Sequence, residues 1–379
     1  MELVSYTNVD GSSFNMKKKI LFLLPSFASV SPVKGAVALA RGISQYFDIT
    51  FVSLDPYRDG DLFITSELNK LKIKHFSLNN KGLRSLFKSI RTLNIFCKKN
   101  QVKVVLSYLL RADIVNACLS KKIKKISSVR NFLPGEYKIA YGPILGYLIA
   151  ETHIFCQFRL NKLICISEDL RNYYENRTRY KEKVVLIRNF LDEPLMDSSE
   201  PVPAMDVDKL YTFVTVSSLT RRKNLQEFIK ALAKLAKKSV PFQTVIVGDG
   251  PERSRLKNLV SKLGLSGKVK FIGHVKDPSY ILKQSKIFVM TSNAEGLSRA
   301  LLEALYFGNL CVVKNILGVV ELLDPKFSYV YDSEAELPDV LLAAIDTYNT
   351  MILSNLLPKK FRYKYAIDQH IHLIRGLSA

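Results

Sequence analysis

The chain has few cysteines, and none of them lies at a spacing typical of metal ligands. Its five cysteines are an odd number, they include no Cys-x-x-Cys pair, and four lie in apolar segments. We therefore predict buried, reduced thiols in a cytoplasmic protein and no metal site built from cysteine. The five are Cys97, Cys118, Cys156, Cys165 and Cys311.

The sequence also lacks an uninterrupted apolar run long enough to span a bilayer. A long apolar stretch at residues 141–166 is broken by charged and polar side chains. The lysines at 17–19 precede a short apolar run that stops at Pro25, with a loop and a helical pattern after it and no clear cleavage site. We predict an opening β-strand there and a disordered tail over residues 1–15.

Acidic side chains are scarce relative to basic ones. The 379 residues include 56 Lys and Arg against 34 Asp and Glu, a net charge of +22. This excess favours an anionic partner such as a phosphate-rich ligand, a nucleic acid or an acidic membrane surface. The hydrophobic share of 47% excludes a disordered chain, and the length allows two domains.

Short apolar or β-branched runs alternate with helical patterns along most of the chain. This alternation predicts βαβ units and largely parallel sheets. We predict helices at Gly35–Tyr46, Leu83–Lys99, Asp169–Glu175, Leu225–Lys237, Glu252–Leu263, Arg299–Phe307 and Tyr363–Arg375. We predict strands at Lys19–Leu24, Asp48–Leu54, Ile73–Ser77, Val102–Ser107, Lys125–Val129, Lys162–Ile166, Val184–Ile187, Tyr211–Ser217, Gln243–Val247, Val269–Ile272, Ile287–Met290 and Leu310–Lys314.

The segment from Asp192 to Lys209 interrupts this alternation. It is rich in proline and acidic residues and has no apolar period. We place a linker at residues 196–209 between two doubly wound α/β domains, at residues 16–195 and 210–358, followed by a terminal helix within residues 359–379. Because ligands bind outside the carboxyl ends of such sheets, the default site is a cleft between the domains.

Two loops that follow predicted strands in the second half lie on the face where a ligand would bind, and the first carries cations suited to an anion. Ser217–Leu225 contains Arg221, Arg222 and Lys223 just before a helix, where free backbone N–H groups and cations favour phosphate; a solvated basic turn is the alternative. In Val247–Glu252, glycines flank Asp249 before a proline, a pattern that a tight βα turn also explains.

A third loop, in the stretch Asn293–Asn309, holds two glutamates eight positions apart. Glu295 precedes Gly296 in the loop, Ser298 is a candidate N-cap, and Glu303 follows one turn into the helix. Carboxylates that accept paired hydrogen bonds suit the hydroxyls of a sugar, and exposed amides at a helix start suit a diphosphate. An acidic helix start favoured by the helix dipole is the alternative, but it does not call for the glycine.

Taken in order, these motifs resemble those of the retaining, metal-independent GT-B glycosyltransferases of family 4. The matching segments extend from Thr212 to Glu321. The family pattern has G-R-L and a later Lys, V-G-D-G-P, F-x-G, and E-G followed by a second Glu. The corresponding residues are Ser217-Ser218-Leu219 with Lys223, Gly248-Asp249-Gly250-Pro251, Phe271-Ile272-Gly273, and Glu295-Gly296 with Glu303.

The resemblance implies a GT-B fold and roles for residues in the second domain, which becomes the donor side. Lys223 would bind the donor diphosphate, and Glu303 the nucleotide ribose. The backbone near Gly273 would meet the base, with Gly250 in the neighbouring loop. Glu295 would touch the donor sugar, and the amides of Gly296, Leu297 and Ser298 would contact sugar and phosphate. Lys223 and Glu295 are the predicted catalytic residues.

Two positions depart from the family pattern. Ser218 stands where the family usually has arginine, and we expect Arg221 or Arg222 to supply the missing cation. In the first domain, the acceptor side, Arg130-Asn131 follows a strand after which the family often has histidine. We expect Arg130 to contact donor or acceptor in the cleft, with a surface strand end as the alternative.

The first domain matches the family more loosely. Gly35 remains from the family's glycine-rich loop as the residue of closest approach, and the helix near the C-terminus resembles one that crosses back to the first domain. His153, alone in an apolar helical segment, is predicted to belong to the core or an interface.

The resemblance predicts a hexosyltransferase that moves a hexose-type sugar from a UDP-sugar with retention of configuration, without a metal or cofactor. The nucleotide sugar is a substrate. Asp59-Gly60-Asp61 matches the letters of a metal-binding Asp-x-Asp motif, but it lies in a polar loop far from the donor motifs and is predicted to be a turn. A catalytically silent GT-B binding protein and a GT-B nucleotide-sugar epimerase are the alternatives.

The positive charge suggests where the acceptor is found. The predicted helix Leu83–Lys99 has a stripe of Leu83, Leu86, Phe87, Ile90 and Leu93 with basic residues elsewhere, which is typical of a helix packed on a sheet. Its basic face fits peripheral docking on the anionic inner face of the cell membrane. We therefore expect a glycan or polyprenyl-diphosphate-linked acceptor in polysaccharide or lipopolysaccharide biosynthesis. The cations do not interleave with aromatics as in nucleic-acid-binding modules, so we expect no nucleic acid partner.

Overall fold

The computed structural model describes residues 6–7, 13–14, 17–80, 85–177, 181–197, 211–275, 277–295, 297–316, 319–350 and 353–377. Two short strands, β1 (Tyr6–Thr7) and β2 (Ser13–Phe14), pair antiparallel ahead of the first domain. Most of the predicted tail at 1–15 and most of the predicted linker at 196–209 lie outside the described residues, as do Leu83 and Gly296.

A seven-stranded parallel sheet forms the first domain, with the strands in the order β5-β4-β3-β6-β7-β8-β9. The strands are β3 (Lys18–Leu24), β4 (Phe47–Ser53), β5 (Lys74–Ser77), β6 (Val104–Tyr108), β7 (Lys124–Val129), β8 (Lys162–Cys165) and β9 (Val184–Leu186). The helices are α1 (Ser31–Ile43), α2 (Leu62–Lys70), α3 (Leu86–Asn100), α4 (Leu110–Ala117), α5 (Leu133–Tyr141), α6 (Pro143–Gln157), α7 (Glu168–Glu175) and α8 (Glu193–Asp197).

A six-stranded parallel sheet forms the second domain, in the order β12-β11-β10-β13-β14-β15. Its strands are β10 (Tyr211–Val216), β11 (Thr244–Val247), β12 (Val269–Gly273), β13 (Ser285–Met290), β14 (Leu310–Lys314) and β15 (Ser328–Tyr331). Its helices are α9 (Leu225–Lys237), α10 (Arg253–Lys262), α11 (Ser279–Lys283), α12 (Arg299–Tyr306) and α13 (Leu337–Asn349), and α14 (Tyr363–Leu377) follows.

The apolar run of β3 is continuous because both faces of the sheet are covered. Ile20, Phe22 and Leu24 belong to the core on the side of α1, whereas Leu21 and Leu23 belong to the core on the side of α3 and α4. A central strand of a parallel sheet is buried on both faces and therefore does not alternate polar with apolar residues.

The last helix packs on the first domain although it follows the second in sequence. A Cβ atom on Gly42 of α1 would lie 2.4 Å from Cδ1 of Ile367 on α14, so the glycine leaves room for the Ile367 side chain against α1. The hydroxyl of Tyr363 donates to the carbonyl oxygen of Ala38 at 3.2 Å.

The α/β architecture confirms the predicted fold class, and most predicted elements end within a few residues of the observed ones. The sequence interpretation gave no range for α2, α4, α5, α6, α8, α11 and α13, nor for β1, β2 and β15. The predicted stripe on α3 is partly wrong: Leu86 and Leu93 are buried, but Phe87 is 83% exposed. The prediction of buried cysteines is wrong at Cys118, which is exposed, and Cys156 is only half-buried. Asp59–Asp61 forms a short 3₁₀ turn.

None of the helices in the described part of the chain has both the length and the apolar character that crossing a bilayer requires.

A buried polar network joins α4, α5 and α6 to the sheet, with the carboxylate of Asp113 at its centre. Ser107 and Ser127 donate their hydroxyls to it at 2.6 and 2.8 Å. Nε2 of His153 lies 2.9 Å from Asp113 Oδ2, and its Nδ1 lies 3.0 Å from the hydroxyl of Tyr137. Because the carboxylate only accepts, Nε2 carries a proton and donates to Asp113. His153 is therefore a core residue, as predicted.

We expect Asp113→Asn to destabilise the protein by about 2–4 kcal/mol, because an amide has too few acceptor positions and leaves buried donors unpaired. Urea unfolding checks this. The matched control is Asp339→Asn on the exposed pair with Lys238, which should change stability by less than about 0.5 kcal/mol. Equal free energies of unfolding for the two variants would contradict the importance of the network.

Candidate functional site

A cavity of about 1120 Å³ lies between the carboxyl edges of the two sheets. Both domains line it, so its shape depends on their packing. The residues of the first domain that face it include Lys34, Arg41, Glu67, Arg130, Asn131, Glu136, Asn189 and Asp192. Those of the second include Ser218, Arg222, Lys223, Asp249, His274, Asp277, Glu295, Leu297, Ser298, Arg299 and Glu303.

Glu295 is held between two cations from the loop that precedes α9. One carboxylate oxygen pairs with the ammonium of Lys223, and the other lies 3.0 Å from Nη1 of Arg222. The same guanidinium nitrogen donates to the carbonyl oxygen of Ala294 at 2.6 Å. Burial disfavours the charged carboxylate, but the two cations outweigh burial and hold the pKa of Glu295 below its usual value.

Glu303 lies on α12 and faces the cavity without an ion pair to any described residue. Burial raises its pKa above the usual value, although Arg299 and Lys34 oppose that shift. The two glutamates of the stretch therefore differ in kind: Glu295 is charge-paired, and Glu303 presents an unpaired carboxyl to the cavity.

The N-terminus of α12 opens on the same cavity. Ser298 is the N-cap, and its hydroxyl accepts from the backbone N–H of Leu301 at 3.4 Å. Leu297 is buried, and its carbonyl oxygen accepts from the side chain of Asn189 in the first domain at 3.1 Å. Gly296 lies outside the described residues. The first backbone N–H groups of this helix are available to an anion.

Other residues predicted to bind the donor lie at different distances from the cavity. Ser218 lines it and is exposed there. Arg221 lies outside it, with a side chain that is 83% exposed and a guanidinium 3.6 Å from Glu252. Of the two arginines expected to supply the missing cation, Arg221 therefore lies outside the cavity, whereas Arg222 lines it and is engaged with Glu295.

Three glycines of the second domain shape the backbone at or near the cavity edge. Gly248 has φ +131° and lines the cavity, and a Cβ there would lie 1.8 Å from the carbonyl oxygen of Ser217. At Gly250, with φ +157°, a Cβ would lie 2.4 Å from the carbonyl oxygen of Leu219, so this glycine shapes the loop from outside the cavity. The carbonyl oxygen of Gly273 accepts from Gly248, next to His274 at the cavity edge.

In the first domain, Arg130 follows β7 and faces the cavity. Its Nη2 donates to Asn189 Oδ1 at 2.7 Å. The same nitrogen would lie 2.8 Å from a Cβ on Gly35, so the absence of a side chain on α1 makes room for the guanidinium. Burial lowers the pKa of Arg130 to about 10, with Arg299 acting in the same direction and Tyr108 against it.

Sequence reasoning missed Arg299 and Lys34, which also line the cavity. A signal for Arg299 was present: it is the first residue of a helix, where the dipole disfavours a cation. Lys34 lies in the first turns of α1, whose dipole disfavours a cation for the same reason. Within the described residues, no three acidic, histidine or cysteine side chains are grouped as metal ligands.

Comparisons with known proteins agree with this geometry. Residues 204–349 match the family model for glycosyl transferases group 1. The chain is similar to glycosyltransferases, and most of its second domain matches the group 1 family model. An alpha-1,4-N-acetyl-D-galactosaminyltransferase from Campylobacter jejuni that acts on an undecaprenol-diphosphate-linked glycan is 26% identical over 76% of this chain and 77% of that protein. The Escherichia coli O-antigen biosynthesis glycosyltransferase WclY is 26% identical over 54% of this chain and 57% of its own length.

Comparison with solved structures shows that the chain has the GT-B fold. HepE from Anabaena, in complex with UDP-glucose, superposes with a TM-score of 0.78 at 19% identity, covering 94% of this chain and 99% of that one. TarM of Staphylococcus aureus gives a TM-score of 0.73 at 13% identity, covering 96% and 99% of the two chains. At these identities the likeness concerns the fold.

We expect Glu303→Gln to raise the melting temperature at neutral pH. A raised folded-state pKa means that folding disfavours the charged carboxyl. The wild type therefore loses stability as pH rises from the usual glutamate value past the raised one, and glutamine does not. Thermal unfolding at pH 4 and pH 7.5 checks this, since the variant's advantage should disappear at the lower pH. An advantage that is independent of pH would contradict the titration of Glu303 as its cause.

Proposed function

We propose that the protein transfers a hexose-type sugar from a nucleotide diphosphate sugar, with UDP as the nucleotide, to a glycan or lipid-linked acceptor with retention of configuration. The observation that carries this is the convergence of the Lys223–Glu295–Arg222 cluster, the α12 N-terminus and the free carboxyl of Glu303 on one cavity between two domains. Cations and amides suit a diphosphate, and carboxyls suit sugar hydroxyls.

The relatives support the substrate classes of this proposal. The Campylobacter relative acts on a glycan attached to undecaprenol diphosphate, and HepE holds UDP-glucose. In this chain, Glu303 would accept hydrogen bonds from the ribose hydroxyls, and Glu295 would meet the donor sugar. Lys223 would contact the diphosphate, with the amides at 296–298 on sugar and phosphate. Gly273 and His274 would lie near the base.

The proposed reaction breaks the bond between the anomeric carbon of the sugar and the oxygen of the diphosphate. The acceptor oxygen attacks the same face, and its proton passes to the departing phosphate oxygen, which accounts for retention. Negative charge grows on the leaving group, so preorganised cations at the cleft lower the barrier. We propose that protein cations fulfil this role without a metal or cofactor.

Two alternatives remain distinguishable by experiment. A silent GT-B binding protein would bind the nucleotide sugar without turnover, and an epimerase would convert it without an acceptor. The persistence of Lys223 and of both glutamates at the cavity favours transfer over silent binding.

We further propose that the enzyme acts as a peripheral protein on the inner face of the cell membrane, in polysaccharide or lipopolysaccharide biosynthesis. The main observation lies on the α5–α6 hairpin, where no charged residue occurs between Lys138 and Glu151. Seven large apolar side chains of the hairpin are between 43% and 78% exposed: Ile139, Tyr141, Ile144, Leu145, Tyr147, Leu148 and Phe155. Large exposed apolar side chains concentrated on one hairpin are typical of an interaction site.

The charges around the hairpin fit an anionic bilayer. Its acid Glu151 is neutralised by Arg177, whose two terminal nitrogens lie 2.8 and 2.9 Å from the carboxylate. On the other side, α4 contacts both α6 and α3. The outer face of α3 exposes Phe87 and Ile95 among cations, which are Lys88, Arg91, Lys98 and Lys99. Insertion of apolar side chains and attraction to anionic headgroups would act together.

The hairpin also reaches the cleft. Glu136 on α5 lines the cavity and accepts from Asn131 at 2.6 Å, while the other end of α5 carries exposed Tyr141. A lipid-linked acceptor held in the bilayer would therefore enter the cavity along α5.

We expect Glu295→Ala to lower turnover of the nucleotide sugar by about 100-fold or more, because the variant loses a contact to the sugar and leaves Lys223 and Arg222 without their carboxylate. Hydrolysis and transfer assays with UDP-sugars measure this. The matched control is Glu334→Ala, which removes a half-exposed partner of Lys230 and should leave turnover unchanged. Equal turnover in wild type and Glu295→Ala would remove the catalytic role of this glutamate.

We expect the double variant Ile144→Asp/Leu148→Asp to lose at least about tenfold in binding to vesicles that contain phosphatidylglycerol, because carboxylates replace inserted side chains and are repelled by the lipid. Flotation measures binding. Leu62→Asp is the control: Leu62 is 73% exposed but opens α2, on the other side of the sheet, where an acid suits the helix dipole.

Two results would overturn membrane docking. One is equal vesicle binding by the wild type and the double variant. The other is a wild-type dimer in gel filtration that the same double variant dissociates, since the hairpin would then join two copies of the chain.

A further inference from the structure

Three cations face each other across the cavity without ion pairs to any described residue. They are Lys34 and Arg130 from the first domain and Arg299 from the second. Arg299 shifts the pKa of both Lys34 and Arg130 downward, so its positive charge acts on each of the other two cations. This arrangement is costly in a protein without a bound anion.

Arg299 is the least satisfied of the three. Its Nη1 is buried and has no hydrogen-bond partner among the described residues. It is also the first residue of α12, where the helix dipole opposes a positive charge. A buried donor without an acceptor normally costs stability, so an arginine kept in this position points to an acceptor that arrives with a ligand.

Each of the two cations of the first domain contacts an uncharged side chain. Arg130 donates to the amide oxygen of Asn189, and Lys34 lies 5.4 Å from the ring centroid of Phe63. Burial lowers the pKa of both. The acids nearby are Glu303 and Asp277. Three cations against two acids leave the region with net positive charge.

The cluster around Glu295 is balanced differently. There one carboxylate directly contacts both Lys223 and Arg222, and Arg299 is not among the charges that act on it. Ser218 adds no charge to that wall of the cavity, and Arg221 points away from it. The uncompensated positive charge of the cavity thus lies around Arg299.

We propose that Arg299, together with Lys34 and Arg130 from the opposite domain, binds a diphosphate, and that Arg299 carries the charge absent at Ser218. This rests on the proposed function. Guanidinium groups bind phosphate oxygens in pairs, and the adjacent helix N-terminus adds backbone donors. When the bond to the sugar breaks, these cations stabilise the charge on the leaving diphosphate. Because the cations that bind the anion come from both domains, the bound anion also holds the two sides of the cleft together.

The test combines a loss with a rescue. Arg299→Met should weaken binding of UDP and of inorganic pyrophosphate by about tenfold or more, measured by titration calorimetry. Without ligand, the variant should melt at the same or a higher temperature than the wild type, because it lacks the buried cation without a hydrogen-bond partner. Adding Ser218→Arg to Arg299→Met should restore most of the affinity, since position 218 opens on the same cavity. Arg255→Met, on the exposed face of α10, is the matched control.

Comparing UDP, pyrophosphate and farnesyl diphosphate shows whether the bound diphosphate belongs to the donor or to a lipid-linked acceptor. If Arg299→Met loses affinity for UDP and pyrophosphate, the cations bind the diphosphate of the donor. Loss confined to farnesyl diphosphate assigns the same cations to a lipid-linked acceptor and overturns the donor role. Unchanged binding of all three ligands by Arg299→Met overturns the site. Failure of Ser218→Arg to restore binding overturns the compensation between the two positions.

The same measurements separate this inference from the proposed function. If the wild type binds pyrophosphate through Arg299 but no nucleotide or nucleotide sugar, the anion site stands and the assignment of a nucleotide-sugar substrate fails.

Discussion

The buried ion triad of Glu295, Lys223 and Arg222 is the constraint on which the second-domain wall of the cleft depends. It joins the loop before α9 to the loop after β13, two segments that come from neighbouring strands of one sheet. Removing one member leaves an uncompensated buried charge. The triad therefore fixes the geometry of the wall before any ligand arrives, and this is the preorganisation that electrostatic catalysis requires.

Much of the fold could be predicted because parallel sheets bury both faces of their strands. The run at β3 and the helix at α9 stand out from the sequence by continuous apolarity and by a 3.6-residue period. The helix α4 could not be predicted in this way because it is short. Its Asp113 and Asn116 are polar residues that a sequence pattern places on the surface, yet both are buried in a hydrogen-bond network.

The site was partly predictable for a related reason. Residues that follow strands, such as Glu295 and Lys223, gather at the carboxyl edge in any doubly wound sheet. Arg299 and Lys34 escaped prediction because they lie in the first turns of helices rather than in loops, and their importance depends on what faces them across the domain boundary. A linear sequence gives no measure of which cations lack a carboxylate in space.

Asn189 couples the two domains to the chemistry of the cleft. Its amide nitrogen donates to the carbonyl oxygen of Leu297, and its amide oxygen accepts from Arg130. If the domains separate, the first bond breaks and the amide is free to rotate, so the orientation of the Arg130 guanidinium becomes a function of the interdomain distance. A single neutral side chain thereby makes the electrostatic potential in the cavity depend on how far the cleft is open.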